Sequence, residues 1–148
     1  MNILIGIDDS PCSVAALEFV KSMPWPPGTR VELLSALQSA VVAYAMPDLS
    51  CSAYAVEAAQ EQARIQQQLV SRFEREVRDA GFDTRAVIVE GDPRLALVEA
   101  ARDRQADLLV VGSHGRTGLS KLVLGSVASH VVVHAPCSVL VVKRPPNR

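Results

Sequence analysis

Five short apolar runs, separated by stretches of helical pattern, constrain this chain more than any other feature. They are residues 2–7 (Asn-Ile-Leu-Ile-Gly-Ile), Thr29 to Leu37, Phe82 to Val89, Asp107 to Val111, and Ser138 to Lys143. An unbroken apolar run, without polar alternation, is the pattern of a strand covered on both faces. Strand and helix patterns alternate along the whole chain. This predicts an α/β fold: one domain over residues 1–148, a doubly wound five-stranded parallel sheet with helices on both faces.

The helical stretches carry their own start and stop signals. Asp8-Asp9-Ser10-Pro11 ends the first run and opens a helix, with Asp9 or Ser10 as cap and Pro11 in the first turn, where its missing N–H costs nothing. Val14, Leu17, Phe19 and Val20 supply an apolar face up to Met23, and Pro24, Pro26, Pro27 and Gly28 stop the helix, with Trp25 expected to anchor that loop. Val56 to Ala80 is the clearest helix, with Ile65, Leu69, Phe73 and Val77 at every fourth position and Gly81 where a C-terminal cap belongs. Gly91-Asp92-Pro93 opens a third helix with Leu95, Leu97, Val98 and Ala101 inward. A fourth runs from Ser126 and ends before Pro136. Residues 38–55 fit neither pattern and are expected to be a long connection, a place for partner specificity.

Composition limits the function classes. The formal net charge is −1 and the sequence pI is near 6.3, so there is no basic field for nucleic acid. Cys12, Cys51 and Cys137 are scattered and odd in number, which argues against a disulfide framework or a zinc site and for a reducing compartment. The first strand begins at Asn2 with no basic leader before it, and the longest apolar stretch, Leu122 to Val133, is broken by Gly125, Ser126, Ser129 and His130. The expectation is a soluble cytoplasmic protein with no membrane partner.

Between the fourth strand and the fourth helix lies a glycine-rich loop, Gly112-Ser113-His114-Gly115-Arg116-Thr117-Gly118, which runs on to Gly125-Ser126. Glycines let backbone N–H groups turn toward an anion, and a helix N-terminus adds unpaired donors and partial positive charge. Ligands of doubly wound sheets sit beyond the carboxyl ends of the strands, where the strand order reverses. The most polar strand ends are Asp8 and Gly112, so adjacent first and fourth strands would open both into one crevice. The spacing G-x2-G-x9-G-S, set by Gly112, Gly115, Gly125 and Ser126, is neither a Walker A motif nor the GxGxxG of dinucleotide folds.

That spacing resembles the ATP-binding motif of the universal stress protein A-like family. Leu109 to Gly118, the ending His134-Ala135-Pro136-Cys137-Ser138 with its apolar strand, and the opening Ile3 to Asp8 followed by Ser10 are similar to that family as well. The resemblance implies the adenine-nucleotide alpha hydrolase-like fold and an ATP site. Gly112, Gly115, Gly125 and Ser126 correspond to phosphate contacts, with Val111 and Val127 flanking them. Gly6 and Asp8, at the end of the first strand, fall in the ATP site as well, Asp8 corresponding to the residue that meets adenosine, and Ala36 corresponds to the small apolar side chain against adenine. A Val is common there, and the smaller Ala weakens the contact by about 1–2 kcal/mol. The resemblance also implies a homodimer through the last strand, Val139, Leu140, Val141 and Val142.

Three further expectations concern chemistry. His114 lines the site through its backbone N–H and ring, with no carboxylate at a fixed spacing to orient it as a base. Arg116 is expected to contact phosphate. Mg²⁺ or Mn²⁺ would arrive with the phosphates, since Asp8 alone holds a metal only through waters. The expected activity is ATP binding in a stress-response regulator, with slow or no hydrolysis. The alternatives are a nucleotide-hydrolysing or nucleotidyl-transferring enzyme, whose usual HxGH or SGGxD signatures are missing after the first strand, and an ATP-free interaction module, for which a damaged glycine motif would be expected.

Overall fold

The computed structural model describes residues 1–37, 53–115 and 124–144. Five strands, β1 (Asn2–Gly6), β2 (Arg30–Leu37), β3 (Asp83–Glu90), β4 (Leu108–Gly112) and β5 (Ser138–Val142), form one sheet. Its order is β3-β2-β1-β4-β5, and every pairing is parallel. Four helices connect the strands: α1 (Pro11–Ser22), α2 (Ala53–Asp79), α3 (Pro93–Asp103) and α4 (Ser126–His134). The strand and helix order is the one the hydropathy pattern predicts. Of the expected connection 38–55, residues 38–52 lie outside the described residues, and residues 53–55 belong instead to the first turn of α2, which starts at Ala53 and not at Val56.

Strand order dictates which face each helix covers. From β1 the chain steps to β2 and then β3, so right-handed crossovers lay α1 and α2 on one face. It then returns past β1 to β4 and moves on to β5, so α3 and α4 lie on the other. The core accordingly divides in two. Ile3, Ile5, Leu33 and Val110 pack with Leu17, Val20, Phe73 and Val77. Leu4, Leu34, Leu109 and Val111 pack with Leu97, Val98, Ala101 and Val131. Ile3, Leu4 and Ile5 are all buried, as a central strand with both faces covered requires. The direction reverses between β1 and β4, which are paired from Ile3↔Leu108 to Ile5↔Val110.

Helix faces depart from the simple pattern in instructive ways. On α2, Ile65 is exposed, whereas Gln66, Val70, Phe73 and Val77 are buried. Three successive steps of four residues turn a side chain by about 120° around the helix axis, whereas the 4-3-4 spacing from Gln66 keeps all four side chains within an arc of about 60°. The helix is also about 40 Å long against strands β2 and β3 of about 26 Å, so residues 56–65 extend along solvent. On α1 the buried face is Ser13, Ala16, Leu17 and Val20, with Val14 and Phe19 exposed, and on α3 Leu95 is exposed.

Caps fall where expected, with the choice resolved. Ser10 caps α1, its hydroxyl accepting from the Ser13 N–H at 3.1 Å. Gly81 terminates α2 with φ +93°, a conformation that disfavours a side chain, and the Phe82 N–H donates back to the Val77 carbonyl at 3.3 Å. Trp25 anchors its loop, as expected, with the indole N–H donating to the Val20 carbonyl at 2.7 Å. No helix among the described residues is long and apolar enough to cross a membrane.

Candidate functional site

At the carboxyl end of β1 the chain makes a tight polar turn. The Ser10 N–H donates to Asp8 Oδ1 at 3.0 Å, and the Asp8 N–H donates to Ser13 Oγ at 3.0 Å. Ser10 Oγ donates across to the His114 carbonyl at 3.3 Å. One hydroxyl thus caps α1 and ties the β1 turn to the loop after β4. Asp8 is half-buried, one of its oxygens committed to the turn.

The glycines of the β4 loop serve close approach. None of Gly112, Gly115 and Gly125 has a positive φ, so backbone conformation does not require glycine at these positions, and the need visible in the structure is steric. A Cβ on Gly112 would stand 2.7 Å from the Cys12 carbonyl carbon and 2.8 Å from Cys12 Cβ, so this glycine lets α1 lie against β4. A Cβ on Gly115 would meet Asp8 Oδ2 at 3.0 Å, and one on Gly125 would meet His114 Cα at 3.2 Å and the Ser113 carbonyl at 3.3 Å. Gly6 faces Leu97 and Val111, with a Cβ 2.9 Å from Leu97 Cδ1. Gly112 brings two backbone segments nearer than a methyl group allows, whereas at Gly6, Gly115 and Gly125 an added methyl is tight and its neighbours must give by a few tenths of an ångström.

Ser113 is the pin of this loop. Its N–H donates to the Val142 carbonyl at 2.8 Å, and its carbonyl accepts from the Gly125 N–H at 2.7 Å. Its buried hydroxyl lies 3.1 Å from His114 Nδ1 and 3.7 Å from Cys12 Sγ. The imidazole therefore has an orienting partner, a hydroxyl where the sequence offered no carboxylate.

Three helices begin at this edge of the sheet, and their N-termini differ. Ser10 caps α1. Asp92 caps α3, accepting from the Arg94 N–H at 2.8 Å, and its carboxyl is drawn down to about 2, first by the hydrogen bonds from the Arg94 guanidinium and then by that backbone bond. At α4 the cap position is Gly125, with extended φ and ψ and no side-chain hydrogen bond. Its carbonyl accepts the first helical bond, from the Ser129 N–H at 2.9 Å. The donors of Ser126, Val127 and Ala128, which come before that first bond, are the orphan groups of a helix start.

These features converge on one cleft of about 270 Å³ between the ends of β1 and β4. Gly6, Asp8, Ala36, Val111, Gly112, His114, Gly115, Gly125, Ser126 and Val127 all line it. The structure thus brings together every residue named from sequence except Arg116, which lies outside the described residues. It adds Leu34 and Leu97 to the apolar end beside Ala36, Ser10 and Ser13 to the polar rim, and Ala128 to the helix start. Leu34 was readable as the same-face neighbour of Ala36, two residues away on one strand. Leu97 comes from a helix that only the crossover to the opposite face brings near, a long-range fact without a local signal. Asp8 is the one carboxylate among the described lining residues.

A doubly wound parallel sheet with a crevice at its reversal point defines a class of nucleotide-binding-type folds. The family model described as the universal stress protein family matches residues 1–143, and this chain belongs to the universal stress protein family. Universal stress protein MJ0531 of Methanocaldococcus jannaschii is 39% identical over 79 residues, 53% of this chain and 46% of that protein. The chain's matches thus span about half the length of such curated relatives. In structure it is similar to the protein MJ0577, with TM-score 0.85 and 28% identity over 99% of this chain and 97% of that one. The same fold is shared by a universal stress protein of Arabidopsis thaliana solved with AMP bound, with TM-score 0.65 and 20% identity over 99% and 93% of the two chains. Neighbours of this kind were also solved with cAMP and with dAMP.

Proposed function

We propose that this chain is an ATP-binding regulatory protein of the stress response, which holds its nucleotide in the cleft between β1 and β4. The observation that carries the reading is the start of α4: a helix N-terminus with no side-chain cap, whose first three residues line the cleft. Such a terminus favours a phosphate, because orphan N–H groups and the positive end of the helix dipole act together. The opposite end of the cleft suits a purine, since Leu34, Ala36 and Leu97 give it an apolar wall. Asp8 stands between the two, where a ribose falls if both ends are occupied. The adenine nucleotides bound by structural neighbours support the same ligand class.

In this reading Gly112, Gly115, Gly125 and Ser126 contact phosphate, Val111 and Val127 flank them, and Arg116 adds a charge from the loop. Mg²⁺ or Mn²⁺ travels with the phosphates, because the described lining residues offer a single carboxylate. Turnover is slow or absent. The signatures of nucleotide-hydrolysing and nucleotidyl-transferring enzymes, HxGH or SGGxD after the first strand, are missing from Asp8-Asp9-Ser10-Pro11. The protein acts in the cytoplasm as a homodimer that pairs through Val139, Leu140, Val141 and Val142, since an uncovered apolar edge strand invites a second copy.

Two measurements test the reading. Denaturing the purified protein and identifying released nucleotide by absorbance and mass should give an adenine nucleotide. Calorimetry should show ATP binding that Gly115→Ala weakens by about tenfold, roughly 1.4 kcal/mol, because the added methyl displaces the Asp8 carboxylate while leaving the backbone unstrained. Wild-type ATP affinity in Gly115→Ala and in Ser126→Ala together removes the phosphate assignment.

A further inference from the structure

One cluster of metal-ligating side chains lies apart from the cleft. His130 and His134 occupy successive turns of one face of α4, and their rings stack with centroids 4.1 Å apart and planes 17° from parallel. His134 Nδ1 lies 2.9 Å from the His130 carbonyl oxygen. A carbonyl only accepts, so Nδ1 carries the proton and Nε2 is left as the basic nitrogen, with its lone pair outward. That is the outer-sphere arrangement found behind metal-bound histidines, where one ring nitrogen donates to a backbone carbonyl and the other is freed to ligate. His134 is exposed and His130 half-buried.

We propose that His130 and His134 form a two-imidazole site for a late divalent transition metal. Nitrogen ligands about 2.1 Å from a metal place the two donor atoms on the order of 3 Å apart, so the two neighbouring rings must swing out of their stack until both lone pairs converge on the ion, a side-chain rotation that His134, exposed at the surface, is free to make. The i, i+4 spacing on a helix is what makes two histidines chelate together. Among the described residues no third histidine, cysteine or carboxylate completes the set, so water fills the remaining positions. Imidazole donors with open positions favour the upper end of the divalent series, Cu²⁺ and Ni²⁺ above Co²⁺ and Mn²⁺. Asp92, within electrostatic reach of His130 from the start of α3, adds negative potential, and Arg94, already bound to Asp92, offsets part of it. The site differs from any metal carried by nucleotide phosphates: it needs neither the cleft nor its ligand.

Titration of the nucleotide-free full chain with Ni²⁺ alone tests it, since Ni²⁺ does not oxidise the thiols. The expected result is one equivalent bound in the micromolar range. Affinity falls at least tenfold in His130→Asn and in His134→Asn and stays at wild-type strength in Cys137→Ser. In the wild type, paramagnetic Ni²⁺ broadens the His130 and His134 ring resonances first, a readout that needs no variant. Absence of binding, undiminished binding in His130→Asn and His134→Asn, or broadening centred elsewhere overturns the proposal.

Discussion

The starts of α3 and α4 sit at the same edge of the sheet, on the same face, and treat their backbone donors in opposite ways. At α3 the chain supplies its own anion: Asp92 takes the Arg94 N–H and is itself gripped by the Arg94 guanidinium, with a closest contact of 2.5 Å. At α4 the corresponding residue is Gly125, which has no side chain to offer. Pro93, in the first turn of α3, still lines the cleft, so both termini border the same space. One of them is electrostatically finished and the other is not. A helix start that keeps its donors unpaired gives up about 1 kcal/mol of capping energy, and that cost is intelligible where an external anion supplies the cap.

The most severe way to break this contrast is to give α4 the device that α3 has. In Gly125→Asp the backbone already holds the extended conformation of a cap residue, so the carboxylate can bond the first-turn N–H groups. The Cβ contacts of 3.2–3.3 Å with His114 and Ser113 backbone require shifts of a few tenths of an ångström. Nucleotide affinity should fall by about 100-fold, roughly 2.7 kcal/mol, through occupied donors and charge repulsion. Thermal stability should change little, because the capping gain offsets the crowding. Calorimetric ATP affinity within threefold of wild type would mean that α4 is not the phosphate end.

How much of this was legible in the sequence follows from the range of each interaction. The strands were readable because burial on both faces leaves an unbroken apolar run, as in Ile3-Leu4-Ile5 and Leu109-Val110-Val111. The caps Ser10 and Gly81 were readable because they act within a few residues. The exposure of Ile65 is not legible, because a strict period of four drifts off the 3.6-residue face and nothing local reveals that α2 outruns the sheet. The steric need for Gly112 was not legible: its neighbour is Cys12, a hundred positions earlier, and only the β1–β4 pairing brings them together. The polar chain in which the Gln66 amide donates to Ser35 and the Ser35 hydroxyl donates to the Ile7 carbonyl at 2.9 Å had no sequence signal at all. It ties α2 to the floor of the cleft, and the buried Gln66 looks in sequence like one of many surface glutamines on that helix.

The reciprocal change sharpens the contrast at α3. Asp92→Ala removes a cap and should cost about 1 kcal/mol of unfolding free energy, with ATP affinity within twofold of wild type. The pH dependence is specific. The Asp92 carboxyl titrates at about 2 in the folded chain against an ordinary value of 3.8, chiefly because Arg94 bonds its ionised form. A carboxylate whose folded value is depressed stabilises fully above the ordinary value and loses that contribution as pH falls toward the folded one. The stability gap between wild type and Asp92→Ala should therefore be constant from pH 7 to about 5 and close between about pH 4 and 2. Urea denaturation at several pH values measures it, and a gap that persists at pH 2 would show that packing, not the ionised cap, is responsible.

The smallest expected effect lies in the loop that stands in for a cap at α4. Ser113 holds the Gly125 N–H with its carbonyl and the His114 ring with its hydroxyl, so Ser113→Ala removes only the second of these. The backbone bonds to Val142 and Gly125 remain, so the fold and the α4 start should survive, and a neutral hydrogen bond at a half-buried ring is worth about 0.5–1 kcal/mol. ATP affinity should fall about threefold. The more diagnostic change is in the ring itself. The Ser113 hydroxyl and His114 Nδ1 form one hydrogen bond at 3.1 Å that holds the ring in a single tautomer, so nitrogen chemical shifts should report one dominant tautomer in the wild type and a mixture in Ser113→Ala. If the tautomer populations are the same in both, the hydroxyl does not orient the ring, and the α4 loop positions His114 by its backbone alone.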